Sequence, residues 1–292
     1  MLYPNNLEEK IGFDKIREKL KSYCLSSLGE ERVEKMRFSS HYAQVKQWLE
    51  RTDEMMRINS EESEELPIQH FPNLRSALSR VKSLGLYLTE SELHEVRQSL
   101  VGVRNIQVFI SKKEREQYPQ LFALAEDLPP SDNIIQKIDK IVDKFGRIKD
   151  SASPELAQIR RDILSTQSSI SKVMNTILRQ AQQAGYVEKD LAPSLRDGRL
   201  VIPVLPSYKR KISGIIHDES ATGKTVYIEP TQVVEINNQI RELENEEKKE
   251  IFKILKAITD ELRVHFPHII RTQKFLAEID FLRSKYLLSK EL

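Results

Sequence analysis

The chain has 292 residues, of which 39% are hydrophobic and 31% are charged, and its formal net charge is only +2. This length and apolar content suffice for a buried core in one to three domains. Because the total charge is nearly balanced, any affinity for nucleic acid has to come from a local patch of basic residues.

The N-terminal residues lack the basic start and apolar run of a signal peptide. No stretch approaches ~18 consecutive apolar residues, so we expect no membrane span. Cys24 is the only cysteine, which excludes an intrachain disulfide and fits a reducing compartment. These features predict a cytoplasmic protein.

Residues 1–150 show the apolar spacing of a series of amphipathic helices. Thr89 and Glu92 form a T-x-x-E capping box, which predicts the start of one of them. The acidic run 61–65, followed by Pro67 and Pro72, predicts a loop. We therefore expect a helical core bundle over 1–150.

A long helix is predicted to begin after Ser153, with Pro154 at the first helical position and Glu155 in the first turn. Apolar residues then recur every seven positions, at Leu156, Ile163, Ile170, Ile177 and Ala184. This spacing predicts a coiled-coil seam that runs to about Ala184, before Gly185. About 30 residues at 1.5 Å each give an arm of roughly 45 Å.

A second long helical pattern runs from Pro230 to Phe266, and its charged stretch 242–250 is interpreted as a solvated helix face. Two such helices joined by an insert of about 45 residues should pair antiparallel. The predicted fold is mainly α, with a helical core bundle and a long antiparallel two-helix lever capped by a small β-rich clamp. The predicted domains are 1–150 (core), 151–186 (outgoing lever helix), 187–230 (clamp), 231–266 (returning lever helix) and 267–292 (helix rejoining the core).

The clamp, residues 187–230, is called the head below. Its sequence predicts strands over 200–204, 212–217 and 225–228, and Pro203 and Pro206 indicate an edge position or bends. From Ser194 to Thr225 there are six Lys/Arg against three Asp/Glu, a local charge of +3.

Such a basic patch suits contact with a phosphate backbone, which needs cations and neutral donors but no base-specific code. The alternative is a solvated hairpin whose lysines only keep it soluble. The candidate nucleic-acid-binding residues are Arg196, Arg199, Lys209, Arg210, Lys211, His217, Ser220, Thr222 and Lys224.

Two other motifs carry less weight. The segment 221–225, ATGKT, resembles the end of a P-loop, but Asp218 stands where that motif needs glycine, and the following residues look like a strand. His265 and His268 have an H-x-x-H spacing, but Pro267 between them prevents a shared regular helical face. No arrangement of side chains indicates catalysis or a metal site, so we expect no catalytic residue and no cofactor in this chain.

Several segments together resemble the second bacterial branch of the MutS family. They are IGFDKIREKL near the N-terminus, IKDSASPELAQIRRDI at the first long helix, RDGRLVIPV and GIIHDESATGKTVYIEP in the head, and VVEINNQIRELENEEKKEI on the second long helix. The resemblance covers almost the whole chain.

This resemblance implies a MutS core, a lever and a clamp without the mismatch-reading domain. None of the ten phenylalanines has glutamate two positions on, so the Phe-x-Glu motif of mismatch readers is missing. It also implies an ATPase domain that binds ATP and Mg²⁺ and dimerises, and a small nuclease-like domain, both after Leu292.

Three functional hypotheses follow. The resemblance implies binding of duplex or branched DNA in recombination control, or recognition and ATP-driven splitting of collided ribosomes through ribosomal RNA. The basic head favours a sequence-nonspecific nucleic-acid clamp. A third hypothesis treats the helix pair as a coiled-coil scaffold for self-association, although Thr166, Gln180 and Glu247 at inward positions favour pairing within one chain.

Overall fold

The computed structural model describes residues 6–60 and 64–291. Residues 61–63 of the predicted acidic loop lie outside this range. The chain divides into two compact units, one formed by residues 1–149 with 255–292 and the other by residues 150–254. Both consist mostly of helix, and the second also holds a small antiparallel sheet, which confirms the mainly α prediction.

The first unit is a helical bundle whose central element is its last helix. The predicted capping box of Thr89 and Glu92 is confirmed at the start of the helix Glu90–Ser111. The helices are α1 (Leu7–Lys10), α2 (Phe13–Ser22), α3 (Ser27–Glu34), α4 (Tyr42–Ser60), α5 (Arg75–Arg80), α6 (Glu90–Ser111), α7 (Pro119–Glu126), α8 (Asp132–Ile141) and α11 (Phe266–Ser289).

Helix α11 contributes to the main hydrophobic core along most of its length. Its Phe275, Ile279 and Leu282 are buried in one cluster with Met55 of α4 and Ile106 of α6. Burial of this kind stabilises by about 1.5–3 kcal/mol for each large apolar side chain. Residues distant in the chain therefore hold the first unit together.

A buried carboxylate ties α11 to the start of α3. Asp280 accepts hydrogen bonds from the backbone N–H groups of Leu25 and Ser26 and from the Ser26 hydroxyl. Ser26 in turn caps α3 by accepting from the N–H of Gly29. The approach is so close that a Cβ added at Gly29 would overlap the carboxylate of Asp280.

The second unit contains the two long helices α9 (Pro154–Gln183) and α10 (Thr231–Leu262), the latter with its last turns in the first unit. Ser153 caps α9 as predicted, and Pro154 occupies its first turn. The Ser153 hydroxyl donates to Glu250, and Arg160 forms an ion pair with Glu247. These contacts join the start of α9 to a late part of α10, so the two helices are antiparallel.

The predicted heptad seam holds only in part in the second half of α9. The fully buried positions are Leu156, Ile163, Met174, Leu178 and Ala181, whereas the predicted Ile177 is only partly buried against the same cluster and Ala184 is exposed. A helix of 3.6 residues per turn drifts about 20° per heptad relative to a 3.5-residue repeat. The buried face therefore follows the ordinary helical period.

Between these helices the chain forms a four-stranded antiparallel sheet in the order β1-β2-β4-β3. The strands are β1 (Ser194–Arg196), β2 (Arg199–Val204), β3 (Gly214–Glu219) and β4 (Val226–Pro230). Strand β1 is not in the sequence prediction. It pairs with β2 only as far as Val201, so Pro203 lies where β2 has no neighbour on that side. Strand β3 carries a bulge between Ile216 and Asp218.

The second long helix ends earlier than predicted. Helix α10 stops at Leu262, a 3₁₀ turn covers Arg263–His265, and Pro267 lies in the first turn of α11. Proline favours the first helical position because it has no N–H to donate. Pro267 therefore marks the start of a new helix of 24 residues. Within the described residues, no helix is both long and apolar enough to span a membrane.

Two helical glycines provide a matched test of the contact between α3 and α11. Gly29→Ala should destabilise the fold by about 1–3 kcal/mol because the new methyl displaces Asp280. Gly102→Ala in α6 meets nothing within 4 Å, so it should stabilise by about 0.5–1 kcal/mol. Urea unfolding of both variants measures the two effects. Changes of the same sign in the free energy of unfolding would contradict the close contact between Gly29 and Asp280.

Candidate nucleic-acid interface

The head is built on a sheet with one face against the helices. Ile202, Val204, Val226 and Ile228 are buried in one cluster with Met174 of α9 and neighbouring apolar residues. Because side chains alternate along a strand, Tyr227 and Glu229 project from the opposite face. This alternation places Tyr227 and Glu229 away from the buried apolar cluster.

Glu229 is the centre of that opposite face. Its side chain is only 2% exposed. The Asn237 amide of α10 donates to its Oε1 at 2.7 Å, and His217 Nε2 of β3 lies 2.7 Å from its Oε2. Arg199 Nη1 of β2 is 3.5 Å from Oε1. A carboxylate withdrawn from water requires such partners.

Two predicted binding residues, Arg199 and His217, are therefore engaged inside the head. Arg196 is exposed, but its guanidinium lies over the Tyr227 ring, 4.3 Å from the ring centre. Lys209 is 3.9 Å from the Glu219 carboxylate, and both side chains are about half exposed. A pair of this kind is weak and is easily exchanged for another anion.

Three predicted residues, Arg210, Lys211 and Lys224, are exposed and have no side-chain partner among the described residues. Arg210 and Lys211 follow the 3₁₀ turn Pro206–Tyr208, and Lys224 lies in the turn between β3 and β4. They form the uncompensated part of the basic patch, and we call them the free cations.

Ser220 and Thr222 lie in the turn that carries Lys224. The N–H of Thr225 donates to Ser220 Oγ at 3.0 Å, and Gly223 adopts a positive φ of 65° in this turn. The Ser220 and Thr222 hydroxyls lie 3.5 Å apart, and either can donate to the other. One hydroxyl proton of this pair therefore remains available to a ligand, beside an unpaired lysine.

The net charge of the head is smaller than the predicted patch suggests. Over residues 187–230 there are seven Lys/Arg and six Asp/Glu, a net charge of +1. The predicted value of +3 depends on a window from Ser194 to Thr225, which leaves out Glu229 and the segment 188–190 (Glu-Lys-Asp), each with a net charge of −1. The basic character is therefore local to the loops.

Sequence reasoning missed Glu229, Asn237 and Tyr227. One signal was present, because Glu229 is an isolated acid within the apolar strand pattern of 226–230, and such an acid needs partners nearby. Asn237 follows eight positions later in the first turns of α10. Only the fold shows that these two residues meet.

The two motifs discounted above have structural roles. Segment 221–225 is a turn followed by a strand, unlike a P-loop, which is followed by a helix. His268 Nε2 lies 2.8 Å from the Ser131 hydroxyl, and burial lowers the pKa of His268, which favours the neutral ring. The described residues contain no group of three or more His, Cys, Asp or Glu placed to hold a metal ion.

These features define a mainly α protein with a small sheet that is packed on a helix pair and exposes cations at its loops. No family model matches the chain. Curated relatives do match it over nearly its whole length, and they are named Endonuclease MutS2. The protein from Geobacillus sp. is 35% identical over 278 residues, and those from Halalkalibacterium halodurans and Alkaliphilus oremlandii are 32% and 31% identical over 279 and 281 residues.

These alignments cover 94–96% of this chain but only 35% of each relative. The chain thus spans about one third of the length of the relatives it matches. The similarity supports assignment to the MutS family, and within it to the MutS2 type.

Adjacent asparagines test the Glu229 network. Asn237→Ala removes a donor from a buried carboxylate and should cost about 1–3 kcal/mol of unfolding free energy. Asn238→Ala, at an exposed position of the same helix, should stay within about 0.5 kcal/mol. Denaturant unfolding, with hydrogen exchange of the strand amides, measures both, and equal effects would show that Glu229 does not need Asn237.

Proposed function

We propose that this chain is the nucleic-acid-binding part of a MutS2-type protein and that its head contacts phosphates without reading base sequence. The observation that carries the proposal is the group of free cations, Arg210, Lys211 and Lys224. Exposed cations without partners contact a phosphate and release its counterions without first breaking an internal bond. DNA, duplex or branched, is the proposed target.

The names of the relatives support a nucleic-acid target without specifying DNA or RNA. The relatives are named endonucleases, and an endonuclease acts on nucleic acid. For the whole protein we propose homodimerisation, binding of ATP with Mg²⁺, and endonuclease activity. These properties belong to regions outside the aligned third of the relatives.

We propose different roles for the candidate residues on the basis of their contacts. Arg199 and His217 would have to leave a buried carboxylate to reach a phosphate, and an unpaired buried charge costs several kcal/mol. We therefore assign them to positioning, since they hold β2 and β3 against β4. Arg196 and Lys209 have weaker partners, and we place them at the margin of the contact surface.

Ser220 and Thr222 complete the proposed surface. Neutral hydroxyls commonly donate to phosphate oxygens and fix the register of a protein on a duplex. Their turn also carries Lys224, so a phosphate bound there would meet a charge and one hydroxyl donor, and a second donor if it replaced the 3.5 Å contact between the two hydroxyls.

The surface chemistry also fits ribosomal RNA, because both nucleic acids present phosphates. Binding of collided ribosomes therefore stays the second candidate function. A contact limited to phosphates does little to distinguish DNA from ribosomal RNA, so the experiment compares binding to the two directly.

A charge-reversal triple variant tests the proposal. Arg210→Glu, Lys211→Glu and Lys224→Glu together should weaken binding to a four-way DNA junction at least tenfold. They should also reduce the slope of log affinity against log salt by about two to three, because each phosphate contact contributes about 0.9. Fluorescence anisotropy over a salt series provides both values.

The matched control reverses three exposed lysines of the first unit, Lys15, Lys82 and Lys256, and should leave the affinity nearly unchanged. Equal losses of affinity in both triple variants would mean that binding depends on the total charge of the chain and not on the head, which would refute the proposal. The same variants, assayed by co-sedimentation with collided ribosomes in competition with junction DNA, decide between the two targets.

A further inference from the structure

The first unit contains a cavity that the proposed function does not use. Its volume is about 510 Å³, which is within the range of small-molecule sites. It lies between α3, the segment 35–41, the start of α4 and the last turns of α11. Aromatic rings at Phe38, Trp48 and Phe281 line it together with polar groups at Ser39 and Gln44.

The lining is strongly cationic. Five basic side chains face one acid, Glu278, and the basic residues are Arg32, Lys35, Arg37, Arg51 and Lys285. Glu278 forms an ion pair with Arg32, and its Oε1 lies 3.7 Å from Arg51 Nη1. The Glu278 carboxylate is therefore shared by the guanidinium groups of Arg32 and Arg51, and the ammonium of Lys285 is beside them. Lys35 is paired with Glu31, outside the cavity wall, at 3.2 Å, and the charge of the other four cations exceeds that of Glu278 by three.

Two of these cations are incompletely satisfied. Arg51 Nε is buried and has no hydrogen-bond partner among the described residues. Lys285 Nζ has a hydroxyl neighbour, Thr52, at 3.3 Å and the Phe281 ring at 4.2 Å. Burial, opposed by Glu278 and assisted by Arg32 and Arg51, lowers the pKa of Lys285 to about 8. Burial favours the neutral amine because it removes water from the charged ammonium.

The start of α4 adds to the attraction for an anion. This helix has 19 residues and no acid in its first turn, and Ser40, His41 and Gln44 at its N-terminal end line the cavity. Unpaired N–H groups and the helix dipole favour negative charge at such a position. The cations of α3, α4 and α11 converge on the same space.

We propose that this cavity binds a nucleoside phosphate, with the phosphate near Arg51 and Lys285 and the base against Trp48 and Phe38. Guanidinium groups recognise phosphate oxygens through paired hydrogen bonds. Aromatic side chains stack on bases without selecting one sequence. A site of this composition takes a ligand that is both anionic and planar. The proposal is independent of the function assigned to the head.

The chain offers a direct probe, because Trp48 is its only tryptophan. Adenosine 5′-monophosphate added to the 292-residue chain should change Trp48 emission in a saturable manner. Adenosine, which lacks the phosphate, should bind at least about tenfold more weakly. Inorganic phosphate should compete with the nucleotide but produce little change in emission by itself.

Variants identify the residues responsible. Arg51→Gln with Lys285→Gln should weaken binding at least about tenfold, whereas Lys285→Arg, which keeps the charge, should retain most of it. Lys82→Gln serves as the exposed control and should bind as the unmodified chain does. Circular dichroism and thermal unfolding of each variant establish that it is folded.

The source of the nucleotide is distinguished by one further ligand, a 5′-phosphorylated trinucleotide. Tighter binding of the trinucleotide than of the mononucleotide assigns the cavity to a strand end, and the reverse assigns it to a free nucleotide. Equal affinity for adenosine and its monophosphate, or no saturable change in Trp48 emission, would overturn the proposal. The charge-reversed head variant should give an unchanged Trp48 titration, so failure of one proposal is separable from failure of the other.

Discussion

A carboxylate that is removed from water must be surrounded by donors, and at Glu229 this requirement organises the head. Arg199, His217 and Asn237 reach it from β2, β3 and α10. The network joins three strands and the first turns of a helix through one side chain. It also divides the basic residues of the head into those that hold the sheet together and those that remain open to a ligand.

Local features of the sequence were sufficient for much of the fold. The capping box at Thr89 and the serine cap at Ser153 each depend on residues three positions apart, so a short window contains the whole interaction. Strand β1 was not predicted because a segment of three residues forms a strand only when β2 is beside it. The seam of α9 shifted because a heptad and a straight helix differ by a tenth of a residue per turn, and the difference accumulates.

The candidate site was less accessible from sequence than the fold. Counting charges in a window treats each side chain as free, whereas pairing depends on which strands meet. Arg199 illustrates the error, because its partner lies thirty positions later.

The cavity of the first unit was even harder to predict from the sequence. Arg51 and Lys285 come from helices far apart in the chain, and each looks like part of a solvated helix face. The two cationic surfaces also differ physically, since salt screens exposed charges much more than partly buried ones.

The outer strand β3 has one further consequence. Its free edge presents unpaired backbone groups, and Ile215 and Ile216 are about half exposed, which is a combination that favours cross-chain strand addition. The bulge after Ile216 interrupts the ladder, and the strand ends in two acids, Asp218 and Glu219. Bulges and charges of this kind make an edge a poorer template for strand pairing between molecules.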